Sequence, residues 1–292
     1  HYPLHSKSFS QTLQYSSLSI TTIIDNQLNN VAVYSPEMLE LITKEIEIKT
    51  EIEVALAERE FILYYQPKFA ADGSTLLGLE ALIRWNHKDG SIKTPGYFID
   101  IAEQSGQIIN IGFYVIEEAC RTIVEYNLVE RNIPVAINLS GHHFASMDIV
   151  EILHEAIKKH NLPPHILELE ITETTLIKNR DFTSTVLKRL HDIGFMITLD
   201  DFGTGYASLN YIKDLPIDKI KIDQSFTNGI GDAKIRNLVK SMIQMAHELD
   251  YKVTVEGVEK DDQFAILKDF NPQEYQGYLF RRPCPIHDIF KE

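Results

Sequence analysis

From residue 61 to residue 279, short apolar runs alternate with longer amphipathic stretches. A chain patterned this way builds a mostly parallel sheet covered by helices. Strands are predicted over 61–69, 76–84, 135–139, 166–171, 195–200, 217–222, 252–256 and 275–279. Their short apolar composition is that of strands buried on both faces. Helices are predicted over 107–125, 148–160, 182–191, 234–249 and 263–268, with a short one from Thr94-Pro95 to about Glu103. In 234–249, Ile235, Leu238, Val239, Met242, Met245, Ala246 and Leu249 form one apolar face. The two methionines there read as core filler. The leading architecture is α/β, a (β/α) barrel; a doubly wound open sheet is the alternative. Two successive strands at the start, joined through Asp72-Gly73, depart from a simple eightfold βα repeat.

Residues 1–35 are rich in Ser, Thr, Asn and Gln and read as an extension or linker. A helix is predicted over 36–60, opening at Ser35-Pro36-Glu37. Leu39, Ile42, Ile46, Val54 and Leu56 supply its apolar positions, and its acidic face is solvated. The division expected is 1–45 as an N-terminal extension from an upstream domain and 46–292 as the functional domain.

The net charge of -14, from 42 acidic and 28 basic residues, disfavours broad attraction to nucleic acid or anionic membranes. It leaves room for a metal-dependent pocket that takes a small phosphate ligand. Cys120 and Cys284 are far apart and form no metal-binding pair, so a reducing compartment is expected. No apolar run reaches membrane-spanning length. A cytoplasmic domain is expected, excised from a parent that is free or membrane-anchored.

Polar residues recur where the predicted strands end: Glu80 and Arg84, Asn138, Glu170, Asp200 and Asp201, Lys221 and Asp223, Glu256 and Glu259, and Gln276. In a parallel barrel these ends converge on one face. One terminal carboxylate is ordinarily a cap or a surface charge; so many together need compensation. Glu, Asp and Asn oxygens suit Mg²⁺ or Mn²⁺, and adjacent Asp200 and Asp201 fit two neighbouring ions. A phosphate ester or phosphodiester is the expected substrate. A sugar hydrolase is the carboxylate-rich alternative, but it does not require Asn138, Lys221 and the Asp pair together. Trp85 and Tyr206 fit either structural packing or a stacked base. His142-His143 makes no convincing zinc set.

Glu80-Ala81-Leu82-Ile83-Arg84 and Leu199-Asp200-Asp201-Phe202-Gly203-Thr204-Gly205-Tyr206 resemble two signatures of EAL-domain cyclic di-GMP phosphodiesterases. The agreement continues through Asn138-Leu139-Ser140, Glu168 to Glu173, Lys219 to Asp223, Val255 to Glu259 and Gln276 to Phe280. The resemblance implies a modified TIM barrel with an antiparallel first strand. It implies hydrolysis of cyclic di-GMP to linear pGpG with Mg²⁺ or Mn²⁺, two ions per site. By the same resemblance Glu80, Asn138, Glu170 and Asp200 surround one ion, and Asp200 and Asp201 connect to the second. Glu256 is a further acidic member, and Lys221 positions or polarises water or phosphate. Leu82, Arg84, Asp223, Glu259 and Gln276 are implied to contact substrate, Arg84 through phosphate. Glu173 is implied to anchor the loop after Asp201. An inactive cyclic di-GMP receptor is the alternative, yet the motif residues are all present. Val255, Ala207 and Arg281-Arg282 depart from the family pattern at neighbouring positions only. Residues 31–38 resemble the junction that follows a GGDEF domain, which points to an upstream cyclase-like, receiver, PAS or membrane sensor domain. A homodimer is the assembly the resemblance implies.

Overall fold

The computed structural model describes residues 8–10, 12, 13, 15, 16, 35–145, 147–178, 180–205 and 212–291. Helix α1 (Pro36–Ala57) leads into strands β1 (Phe61–Phe69), β2 (Leu76–Asn86) and the two-residue β3 (Ile92–Lys93). Helices α2 (Ile99–Gln104) and α3 (Ile108–Glu125) precede β4 (Val135–Asn138). Then follow α4 (Asp148–Lys159), β5 (Leu167–Thr172), α5 (Glu173–Lys178), α6 (Arg180–Ile193) and β6 (Met196–Phe202). The last third holds β7 (Lys219–Ile222), α7 (Gln224–Asn228), α8 (Ala233–Glu248), β8 (Lys252–Val255), α9 (Asp261–Lys268), β9 (Glu274–Tyr275) and α10 (Ile286–Ile289).

Strands pair in the order β1, β9, β8, β7, β6, β5, β4, β2, and β1 also pairs with β2, so eight strands close into a barrel. β1 runs antiparallel to both neighbours, β2 and β9, while the other barrel pairs are parallel. Strand β3 hairpins onto the end of β2 outside the closed ring.

Alternation along each strand gives the barrel two unlike faces. Leu167, Leu169, Ile171, Ile197, Leu199, Ile220, Ile222, Val253 and Val255 are buried in the apolar core with the helices. Their neighbours Glu168, Glu170, Thr198, Asp200, Lys219, Lys221 and Thr254 are also buried and meet one another inside the barrel. The strands are therefore not apolar on both sides, as their short composition predicted. A run such as Lys219-Ile220-Lys221-Ile222 pairs an aliphatic outer face with a charged inner one.

Several boundaries differ from expectation for identifiable reasons. The last strand stops at Tyr275 instead of reaching 279. Beyond it the chain folds across the 256–258 segment, with Val258 N donating to Gln276 O and Leu279 N to Val258 O. Gly277 passes so close that a Cβ there would lie 2.1 Å from the Val258 carbonyl oxygen. In α1 the buried residues are Ile48, Ile52 and Ala55, whereas Ile46 and Val54 face solvent. In α8, Val239, Ile243 and Ala246 are buried while Leu238 and, just beyond the helix, Leu249 are exposed. Trp85 is structural: it is fully buried, donates to Glu60 Oε2 at 2.8 Å and packs edge-on against Phe98. Tyr206, Ala207 and residues 31–34 lie outside the described residues.

Candidate active site

The C-terminal strand ends bring a ring of acids around one lysine. Lys221 on β7 lies 2.8 Å from Glu170 Oε2 on β5 and 2.7 Å from Glu256 Oε1, just past β8. It is 3.2 Å from Asp200 Oδ1 on β6 and 3.5 Å from Glu80 Oε2 on β2. Lys221 and Glu170 are fully buried, and Glu80 and Asp200 nearly so. Burial alone drives a lysine toward neutrality, but here the surrounding acids hold its pKa well above normal.

Glu80 is fixed from two further sides. Asn138 Nδ2 donates to Oε1 at 2.9 Å and Gln276 Nε2 donates to Oε2 at 2.6 Å. Burial pushes the Glu80 carboxyl up, yet Lys221, Lys68 and the Gln276 hydrogen bond together outweigh it and the net shift is downward. Glu170 goes the other way: burial, with the charges of Glu80 and Glu168, outweighs the two lysines beside it, and its pKa is raised.

The two consecutive aspartates reach the site through a bulge. Between β6 and β7 the register passes from Leu199↔Ile220 to Phe202↔Ile222, one extra residue on the β6 side. Asp201 takes the left-handed conformation at φ 56, which Asp tolerates better than most residues. Strict alternation would turn one of the pair outward. The bulge instead leaves carboxylate oxygens of Asp200, Asp201 and Glu256 all within 4.8 Å of one another.

This donor set fits divalent metal. Four carboxylates face Lys221, and Asp201 adds a fifth close by. The surplus charge, with burial, raises the pKa of two of these groups. Burial, then the charges of Asp200 and Asp223, push Asp201 up to about 6. Burial, with Asp200 and Glu80 beside it, pushes Glu256 up to about 8 despite Lys221. Hard oxygen donors carrying excess negative charge are what Mg²⁺ or Mn²⁺ require. An ion must displace the protons these raised values retain. Mn²⁺ affinity is therefore expected to climb from about pH 6 to about pH 8.5, as Asp201 and then Glu256 deprotonate. Mn²⁺ titrations across that range check it; a flat profile counts against both residues as ligands.

The other anticipated residues fall in four places. Leu82, Glu259 and Gln276 line a cavity of about 160 Å³ together with Glu80 and Glu256. Arg84 donates to the Ile83 carbonyl at 2.8 Å, and its guanidinium carbon lies 5.6 Å from the centre of the Tyr64 ring. Asp223 caps α7, accepting from Ser225 N at 3.0 Å. Glu173, at the start of α5, accepts from Gly203 N at 3.3 Å and Gly205 N at 3.2 Å through Oε2. A Cβ at residue 205 would lie 2.8 Å from the Glu173 carboxyl carbon, so only glycine permits that approach.

Sequence reasoning passed over Gln66 and Lys68. Gln66 lies opposite Glu80 in the β1–β2 register, accepts from Gln276 Nε2 at 3.1 Å and lines the same cavity. Lys68 is buried and bonds Glu170 at 2.8 Å. The available signal was the polar Gln66-Pro67-Lys68 interrupting an otherwise apolar strand.

Comparison with known proteins places this geometry in a family. Residues 49–283 match the family model described as EAL domain. Signaling protein YkoW of Bacillus subtilis is 39% identical over 232 residues, 79% of this chain and 29% of that protein. Cyclic di-GMP phosphodiesterase NbdA of Pseudomonas aeruginosa is 33% identical over 287 residues, 98% of this chain and 37% of the relative. A solved structure described as PaMucR phosphodiesterase in complex with c-di-GMP superposes at a TM-score of 0.80 with 35% identity, over 84% of this chain and all of that one. The chain spans between 29% and 43% of the length of the curated relatives it matches. Among the described residues no helix is long and apolar enough to cross a membrane. With one family model spanning most of its length, the chain belongs to the EAL domain family.

Proposed function

We propose that this chain hydrolyses cyclic di-GMP to linear 5'-pGpG with two Mg²⁺ or Mn²⁺ ions per site. The observation that carries the reading is the barrel mouth where four carboxylates face Lys221, with Asp201 beside them and Asn138 bonded to Glu80. Relatives named as cyclic di-GMP phosphodiesterases and a neighbour bound to c-di-GMP supply the substrate. Glu80, Asn138, Glu170, Asp200, Asp201 and Glu256 are the residues that would hold the ions. Bound there, the ions lower the pKa of water and offset charge on the phosphate.

The chain's own groups do the positioning. Lys221, ion-paired with four carboxylates, would donate to water or phosphate oxygen. Gln276 and Asn138 hold both oxygens of Glu80 in one orientation. Leu82, Glu259 and Gln276 line the space offered to substrate, and Arg84 and Asp223 contact it from the rim. Glu173 anchors the Gly203–Gly205 turn and with it the Asp200-Asp201 bulge. Residues 46–292 form the hydrolase unit, and 1–45 extend toward an upstream domain. Relatives named as an oxygen sensor and a bifunctional cyclase support such a parent. Homodimerisation and a cytoplasmic setting complete the proposal.

A chromatographic time course with cyclic di-GMP tests the function. Metal-dependent pGpG from the parent, and none from Glu80→Ala, is the expected result. Tight ligand binding with no product, in both monomer and dimer fractions, would show a receptor instead.

A further inference from the structure

Beneath the acidic ring, the barrel contains a second lysine that the proposed chemistry does not use. Lys68 Nζ lies 2.8 Å from Glu170 Oε1 and 3.1 Å from Glu168 Oε1, and it is 1% exposed. It comes from β1, the antiparallel strand, and reaches across the barrel to β5. Its far partner is itself fixed. Glu168 Oε1 accepts from Thr198 at 2.7 Å, and its Oε2 is 2.8 Å from Lys219. Lys219 is held by both oxygens of Glu274, which also accepts from Thr254 at 2.7 Å. Alternating charges thus run up the barrel axis as Glu274, Lys219, Glu168, Lys68, Glu170 and Lys221. At the lower end, Glu168, Lys219 and Glu274 line a cavity of about 460 Å³ among the N-terminal ends of the strands.

The two lysines that meet Glu170 differ in what else they serve. Lys221 is shared among four acids and sits at the proposed reaction centre. Among the described residues, Lys68 has ion pairs only with Glu168 and Glu170. One oxygen of Glu170 therefore has a dedicated donor, braced from below, while the other faces the shared lysine. A carboxylate oxygen has two lone pairs, so this bond leaves capacity for a further partner.

We propose that Lys68 is a positioning residue: it fixes the Glu170 carboxylate for the metal ions and does not touch substrate. The inference rests on Glu170 being a metal ligand, as proposed above. Partners in the shell behind a ligand orient it, and losing one costs about 10- to 100-fold in metal affinity. Lys68→Met removes the donor to Glu170 and keeps most of the side-chain volume.

The test is a Mn²⁺ titration without substrate, following free Mn²⁺ by electron paramagnetic resonance, with thermal melting to confirm a cooperative fold. Lys68→Met is expected to bind Mn²⁺ about 10- to 100-fold more weakly than the parent. The charge-balanced variant Lys68→Met/Glu168→Gln leaves the Lys219–Glu274 pair neutral and serves where the single variant does not fold. It is expected to show the same weakening, because Glu170 Oε1 loses its donor in both. Parent-like affinity in Lys68→Met, or its return in the double variant, would overturn the positioning role and leave the metal site standing. A parent that binds no Mn²⁺ overturns the metal reading, and this role with it.

Discussion

Lys221→Met is expected to lower cyclic di-GMP turnover by about 10²- to 10³-fold, the cost of losing one donor aimed at developing charge. The same substitution leaves Glu80, Glu170, Asp200 and Glu256 without their shared cation in the barrel. Removing one partner of a buried ion pair typically costs about 3–5 kcal/mol, because the remaining charge is uncompensated. Melting in a chelator is therefore expected to occur at clearly lower temperature than for the parent. Divalent ions bind the same acids, so Mn²⁺ is expected to raise the melting temperature of the variant more than that of the parent. A variant that melts like the parent in chelator would show that the four contacts are not stabilising. Parent-like turnover would remove Lys221 from the chemistry altogether.

The barrel was legible because helix and strand periods alternate from Phe61 onward, and because the first two strands follow each other directly, with no long helix between them. The charged interior was harder to see. Leu167-Glu168-Leu169-Glu170-Ile171 and Lys219-Ile220-Lys221-Ile222 alternate with period two, which on its own also describes half-exposed strands. Only closure of the barrel turns those polar positions inward, where they pair across strands that are far apart in sequence. Lys68 and Glu168 are separated by 100 residues, so no local pattern links them.

The site was legible by type more than by arrangement. Strand-end carboxylates and the motif order pointed to Glu80, Asn138, Glu170, Asp200, Lys221 and Glu256, and these do converge. The means by which Asp200 and Asp201 both face the site was not readable. It depends on a register slip against β7 and a left-handed Asp201, and both follow from pairing between strands. The role of Gly205 was half visible: the resemblance implied that Glu173 anchors the loop after Asp201, but the close approach of Gly205 to Glu173 follows from the packing of α5 against the end of β6.

Glu80→Gln is expected to cost turnover at least about 100-fold, although it changes the side chain by little more than one atom. Both Glu80 oxygens already accept from amide donors, Oε1 from Asn138 and Oε2 from Gln276. Whichever way a glutamine is turned, its own NH₂ meets one of those NH₂ groups. Gln276 cannot relieve the conflict freely. Its Nε2 also donates to Gln66 Oε1 at 3.1 Å, and rotating the amide would trade that bond for a clash between two oxygens. Only a turn of the Asn138 amide, presenting Oδ1 to the new NH₂, restores both contacts, and the substitution still removes a charge from the ring around Lys221. Displaced partners around a metal ligand cost about 10- to 100-fold, and loss of the ligand's charge adds to that. Steady-state turnover at saturating Mn²⁺, beside a direct Mn²⁺ titration, separates the two contributions. Metal affinity that falls together with turnover is the expected outcome. Parent-like values of both would mean that Glu80 is neither a ligand nor a fixed part of the site.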